Sequence, residues 1–335
     1  AHLALPDFDP ARRLGLFGVF DGHGGAAVAG IVAERLPGAL RSLTAYQQGD
    51  YGQALSQAFL GFDDFFASPS GRKEVRARSS GEGPEGMGCT AIVALVETGP
   101  EPRLLVANAG DSRCVLVSGR QAVEMSQDHA PTLPEERRRI HRAGGFVNGE
   151  GRVNGNLNLS RALGDLFYKR NRKLKPDEQL ISGKPEIKSR KLGEDDRFLV
   201  LGCDGVWERM SSQAVVSALL KILPSKDNRP KILSTSCGLF LDAILSKNPL
   251  KTQGLGCDNM TMLLVDLHNG TSSPLQAAAP APCKPEATAA ASASGATAPS
   301  ALSPQPPLPA ASTLLKRALT PAAHPAPAAV AARGG

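Results

Sequence analysis

Short apolar runs that stop at an aspartate and a turn-forming residue constrain this chain more than any other feature. Phe20-Asp21-Gly22-His23-Gly24-Gly25, Ala109-Gly110-Asp111-Ser112-Arg113 and Leu201-Gly202-Cys203-Asp204-Gly205 each close such a run, and Gly256-Cys257-Asp258-Asn259-Met260 leads into one. A carboxylate placed directly after a buried strand is costly unless something pairs with it. A fold that gathers these strand ends collects hard, anionic oxygens at one place, the donor set that magnesium or manganese takes. Taken singly, each aspartate also fits a plainer role: Asp204 as the cap of a following helix, Asp111 and Asp258 as turn residues. The agreement of four such sites raises the metal reading above those.

Leu14 to Phe20, Thr90 to Val96, Leu104 to Asn108, Cys114 to Val117, Phe198 to Leu201 and Thr261 to Leu267 are short, apolar and often β-branched, which predicts strands. Helical spacing runs over Ala26 to Leu40, Gln53 to Phe66, Pro134 to Arg142, Gln213 to Leu223 and Pro230 to Leu245, with Ser212 and Pro134 as start signals. The short turn Ala109-Gly110-Asp111-Ser112 predicts antiparallel pairing of the strands on either side of it. Helices cluster in pairs and do not alternate with strands, which disfavours an open parallel sheet. Ser68 to Gly86 and Tyr168 to Pro176 read as surface loops, and the first ten residues show no capping or periodic pattern.

Composition changes sharply near residue 270. From Pro274 to Gly335 the chain is almost all Ala, Pro and Ser, too poor in large apolar groups to repay the entropy of ordering, so 269–335 is expected to be a disordered tail behind a domain over 1–268. The formal charge is +6, and Lys284, Lys316, Arg317 and Arg333 against Glu286 put +3 of it after residue 270. The remaining body is only mildly basic, and no nucleic-acid partner is expected. The six cysteines form no CxxC pair, and no apolar stretch reaches the roughly 20 residues of a membrane span. Reduced thiols, no membrane and a cytoplasmic or nuclear location are the expectation.

Asp21-Gly22-His23-Gly24-Gly25 lies between a strand and a helix, as phosphate-cradling loops do, yet it lacks the Lys-Ser/Thr of a P-loop and the glycine spacing of a dinucleotide site. A metal role suits it better: Asp21 offers a carboxylate, and Gly22, with no side chain in the way, offers its carbonyl. A pair of divalent ions bridged by one carboxylate would lower the pKa of a shared water and neutralise phosphate oxygens during in-line attack. Three carboxylates against two dications leave one positive charge, which attracts a phosphomonoester dianion. No serine or cysteine nucleophile is required.

The motif series then becomes specific. Phe17 to Gly25, Gly88-Cys89-Thr90-Ala91, Ala107 to Arg113, Asp128-His129, Ala143-Gly144-Gly145, Arg152 to Gly155, Leu159-Ser160-Arg161-Ala162-Leu163-Gly164-Asp165, Cys203 to Trp207 and Asp258 to Thr261 resemble, in order, the metal-dependent (PPM, type 2C) serine/threonine protein phosphatases. Tyr168-Lys169-Arg170-Asn171 and Glu178 to Ser182 look closest to the gamma branch. The resemblance implies an α+β fold, a four-layer α/β/β/α sandwich of two antiparallel β-sheets flanked by pairs of helices. It implies hydrolysis of phosphoserine and phosphothreonine in phosphoprotein substrates by a metal-bridging hydroxide, without a covalent intermediate, in a chain expected to be a monomer. Two Mg2+ or Mn2+ ions would be held by Asp21, Gly22, Asp204 and Asp258, with His23 as general acid and Asp111 beside a third, weaker ion.

Two departures stand out. Many members carry Asp four residues after Asp204, where this chain has Glu208, and the family's Arg followed by Met-Glu-Asp-Ala-His is expected upstream of Ala1-His2. On that reading the chain is N-terminally truncated, lacking a first strand, a phosphate-binding arginine and an acidic pair. An inactive pseudophosphatase or phosphoprotein-binding scaffold is then the alternative, with a metallohydrolase of small phosphate esters as a third reading. The run Lys169-Arg170-Asn171-Arg172-Lys173 either steers acidic substrates or is a solvated loop.

Overall fold

The structure is a computed structural model and describes residues 1–223 and 233–267. One sheet has five strands in the order β1 (His2–Asp9), β2 (Leu14–Val19), β5 (Ala91–Glu97), β6 (Arg103–Ala109) and β10 (Glu186–Lys191). A second has four, in the order β12 (Met262–Asp266), β11 (Asp196–Gly202), β7 (Arg113–Ser118) and β8 (Gln121–Glu124). A third, small sheet joins β3 (Gly22–His23), β4 (Gly88–Cys89) and β9 (Leu163–Gly164). Every pairing in all three is antiparallel.

Strand alternation builds the layers. In β2, Phe17 and Val19 point between the two large sheets while Leu14 and Leu16 point outward, and in β11 Leu199 and Leu201 face inward while Phe198 and Val200 face outward. The outward face of the first sheet is covered by α1 (Ala27–Ser42) and α3 (Tyr51–Ala67), with the four-residue turn α2 (Thr44–Gln47) and α4 (Pro69–Arg78) beside them. Pro134–Arg142 forms α5, and Asp204–Trp207 a single turn, α6. The second sheet is covered by α7 (Ser212–Ile222) and α8 (Leu233–Ile244). The result is an α+β sandwich, helix, sheet, sheet, helix.

Three readings of the sequence change. β6 and β7 do not pair across Gly110-Asp111-Ser112: β6 lies between β5 and β10, β7 between β11 and β8, so the turn carries the chain from one sheet to the other. Both strands are buried on both faces, so their apolar pattern holds nothing that distinguishes a hairpin from a crossover. Ser68 to Gly86 contains α4, capped by Ser68, whose Oγ accepts the Gly71 N–H at 3.1 Å, with Pro69 in the first turn. The first ten residues, which showed no pattern, form β1. α7 starts at Ser212, as the sequence indicates, with Ser211 as its cap. The expected tail, like the start of the helix read from Pro230, lies outside the described residues. Among the described residues, no helix is long and apolar enough to cross a membrane.

Candidate active site

The end of β2 delivers Asp21, the end of β11 delivers Asp204, the loop into β12 carries Asp258, and the crossover between the two large sheets carries Asp111. Carboxylate oxygens of Asp21 and Asp204 and the sulfur of Cys203 lie within 4.8 Å of one another. Backbone bonds fix these positions. Thr90 N–H donates to the Asp21 carbonyl at 2.9 Å, and the Asp21 N–H donates to Thr90 Oγ1 at 3.2 Å. At the crossover, Gly110 has φ +126, and a side chain there would run into Thr90. Gly110 also donates its N–H to His129 Nδ1 at 3.2 Å and accepts the His129 N–H at 2.9 Å, which holds the Asp111 turn in place.

The carboxylates of this cluster are partly buried and act on one another. Burial raises the Asp204 pKa well above the usual carboxylate range, and the charges of Asp111, Asp21 and Asp258 raise it further. Asp21 is raised by burial and by Asp258, while a hydrogen bond to Asp204 works against the shift. Burial pushes Asp111 up to about 6, reinforced by Asp128 and Asp21. The charges acting on Asp204 are thus those of other carboxylates, and a hydrogen bond links it to Asp21. Hard oxygen donors crowded at this density fit divalent magnesium or manganese.

The small sheet sets His23 beside this cluster. Its Nε2 lies 2.7 Å from Oδ2 of Asp165, which is 1% exposed. A carboxylate can only accept, so Nε2 carries the proton. Burial alone would lower the His23 pKa, but the hydrogen bond and charge of Asp165, with Asp111 and Asp21 behind it, raise it overall. A side chain on Gly88 would collide with both Asp165 and His23, so the pair can form only beside a glycine.

Of the residues singled out in the sequence, Asp21 and Asp204 come into direct proximity, with Gly22 next to Asp21 in the chain. Asp258 and Asp111 stand outside that closest group and act on it through their charge. Asp165 lay unassigned within a motif; its role becomes visible only where β9 pairs with β4 and β4 with β3. Cys203 was also passed over. Its Sγ donates to the Asn259 carbonyl at 3.3 Å and accepts the Thr261 N–H at 3.2 Å, and burial raises its thiol to about 11, so it ties two loops together as a neutral group. Glu208, the departure from the family pattern, accepts the Gly256 N–H at 3.0 Å and so braces the loop that leads to Asp258. Lys169 does not belong to a solvated basic run. It is buried in an ion pair with Asp63 at 2.6 Å, whereas Arg170, Arg172 and Lys173 are exposed.

Comparison with known proteins bears on the family and the fold. The family described as "Protein phosphatase 2C" matches residues 1–237. "Probable protein phosphatase 2C 2" of Paramecium tetraurelia is 44% identical over 268 residues, covering 80% of this chain and 87% of its own. "Probable protein phosphatase 2C 11" of Oryza sativa subsp. japonica is 39% identical over 301 residues, covering 79% and 80%. Among solved structures, a phosphatase from a pathogenic strain of Toxoplasma gondii superposes with a TM-score of 0.60 at 23% identity, covering 79% of this chain and 86% of that one, which shows a shared fold.

Proposed function

The chain belongs to the protein phosphatase 2C family, and from that premise we propose that it removes phosphate from phosphoserine and phosphothreonine in proteins at the Asp21, Gly22, Asp204 and Asp258 cluster, with Asp111 as an accessory carboxylate. The observation that carries the proposal is the crowding of these carboxylates at the seam of the two sheets, where burial raises the pKa of Asp204, Asp21 and Asp111 and the charges of neighbouring carboxylates raise each of the three further. A phosphoprotein-binding scaffold has no physical need for such a cluster, which destabilises the fold unless a cation offsets it.

Two Mg2+ or Mn2+ ions bound there would supply an activated water and positive charge for the phosphate oxygens. The protein's own contribution is to hold the carboxylates at fixed separations on two rigid sheets and to leave the Gly22 carbonyl unshielded by a side chain. His23 contributes the proton. With Nε2 engaged by Asp165, Nδ1 is the nitrogen that faces substrate, and the raised pKa keeps a proton available to the departing serine or threonine oxygen near neutral pH. The exposed Arg170, Arg172 and Lys173 lie a few residues beyond Asp165 and suit acidic protein substrates.

The deciding experiment is manganese-dependent release of phosphate from a phosphothreonine peptide. Asp204→Ala is expected to lower turnover by at least about 100-fold, and unchanged turnover would sink the metal mechanism.

A further inference from the structure

One buried ion pair lies outside the carboxylate cluster yet touches the segment that holds Asp165. Asp63, on α3, accepts the Gly164 N–H on Oδ1 at 2.9 Å and the Lys169 ammonium on Oδ2 at 2.6 Å. Lys169 in turn donates to the Ala162 carbonyl at 2.7 Å. The two side chains are 13% and 7% exposed, and a side chain on Gly183 would strike the Asp63 carboxylate, so the site admits little rearrangement.

These bonds bracket Asp165 on both sides. Gly164 precedes it by one residue, Ala162 by three, and Lys169 follows it by four. Between them the backbone adopts strained geometry, with Asp165 at φ 51, a left-handed conformation that an aspartate adopts only at a cost. Asp165 N–H donates to the Met87 carbonyl at 2.9 Å, and Tyr168 N–H to the Asp165 carbonyl at 2.9 Å. The strain persists because the surroundings over-determine it, and Asp63 and Lys169 supply the charged part of that constraint.

We propose that the Asp63–Lys169 ion pair is a positioning device: it cinches residues 162–169 around Asp165 and so fixes the orientation of His23 toward the departing alcohol. The proposal rests on the phosphatase reading given above. Neither Asp63 nor Lys169 touches substrate or metal; both act through Asp165. A buried pair of this kind adds little net stability, because desolvation offsets most of its attraction, but it does specify one geometry.

Leaving-group chemistry tests this. A serine or threonine alkoxide must be protonated as it departs, whereas an aryl phosphate with an acidic phenol releases a stable anion and gains little from a proton donor. In the full chain with manganese, Lys169→Met should lower kcat on a phosphothreonine peptide by about 10- to 100-fold. It should change kcat on the aryl phosphate by less than about threefold and leave both KM values and the manganese requirement unchanged. Equal losses on the two substrates, or no loss on the peptide, would overturn the proposal. The paired variant Asp63→Asn with Lys169→Met, which buries no unpaired charge, carries the same expectations and guards against a single variant that does not fold. If the wild-type chain turns over neither substrate, the phosphatase reading has failed, and NMR then judges the pair. A His23 Nε2–H proton held by Asp165 in wild type and lost in the variant supports positioning; the same proton unchanged in the variant overturns it.

Discussion

Asp204 shows the cost of the site at the scale of one residue. It opens α6 two residues beyond β11, a strand buried throughout except at Arg197, and three further carboxylates act on it with the same sign. Replacing it with an isosteric amide removes one charge from that crowd without leaving a cavity. Asp204→Asn is therefore expected to raise the thermal midpoint in the absence of metal by about 2–4 °C, equivalent to roughly 1 kcal/mol, while abolishing manganese-dependent turnover. Thermal melts in chelator check it, and a lowered midpoint would show that the carboxylates are not in net repulsion. The four aspartates were legible in the sequence because each interrupts an apolar run, and interruption is a local signal. Asp165 was not, since its meaning depends on three two-residue strands brought together from distant parts of the chain, and two residues carry no periodicity.

At the scale of elements, α5 is anchored by charge. Glu136 is buried between Arg139 and Arg161, at 2.6 Å from each, and accepts the Ser160 hydroxyl at 2.5 Å, so one carboxylate joins the helix to the segment that runs on to Asp165. Burial would raise its pKa, but Arg161, Arg139 and Ser160 together lower it to about 2 from the model-peptide value of 4.5. A lowered folded-state pKa means the stabilisation is complete above about pH 4.5 and is lost as pH falls toward 2, on the order of 3 kcal/mol in all. Urea unfolding across that window should show the difference between wild type and Glu136→Gln shrinking as the pH drops; a constant difference would exclude this linkage. The helix itself was readable to the residue, from Pro134 to Arg142, whereas α4 was not. Its only buried residues are Gly71 and Val75, so no apolar stripe marked it, and Ser68 with Pro69 was its one visible signal. The crossover at Gly110 was misread for the opposite reason, because strands apolar on both faces look alike whichever sheet receives them.

For the whole molecule, the decisive fact is that the site belongs to neither sheet alone. Asp21 ends a strand of one, Asp204 and the approach to Asp258 belong to the other, and Asp111 sits on the chain that passes between them. What holds these positions is the inner core, where Phe17, Val19, Ile92 and Val106 meet Leu116, Leu199 and Leu201. Divalent ions that bind only this arrangement should stabilise it by mass action, by about 2.7 kcal/mol at a hundred times the dissociation constant. Loosening of the inner core would separate the four aspartates before either sheet loses its own hydrogen bonds. In guanidinium at limiting manganese, activity should therefore disappear at a lower concentration than the far-ultraviolet dichroism; coincident transitions would refute this. A catalyst assembled across a seam reports on the seam: its turnover would be a strain gauge for the spacing of the two sheets, and whatever pries them apart at a distant edge would act as an off switch without touching an aspartate of the site.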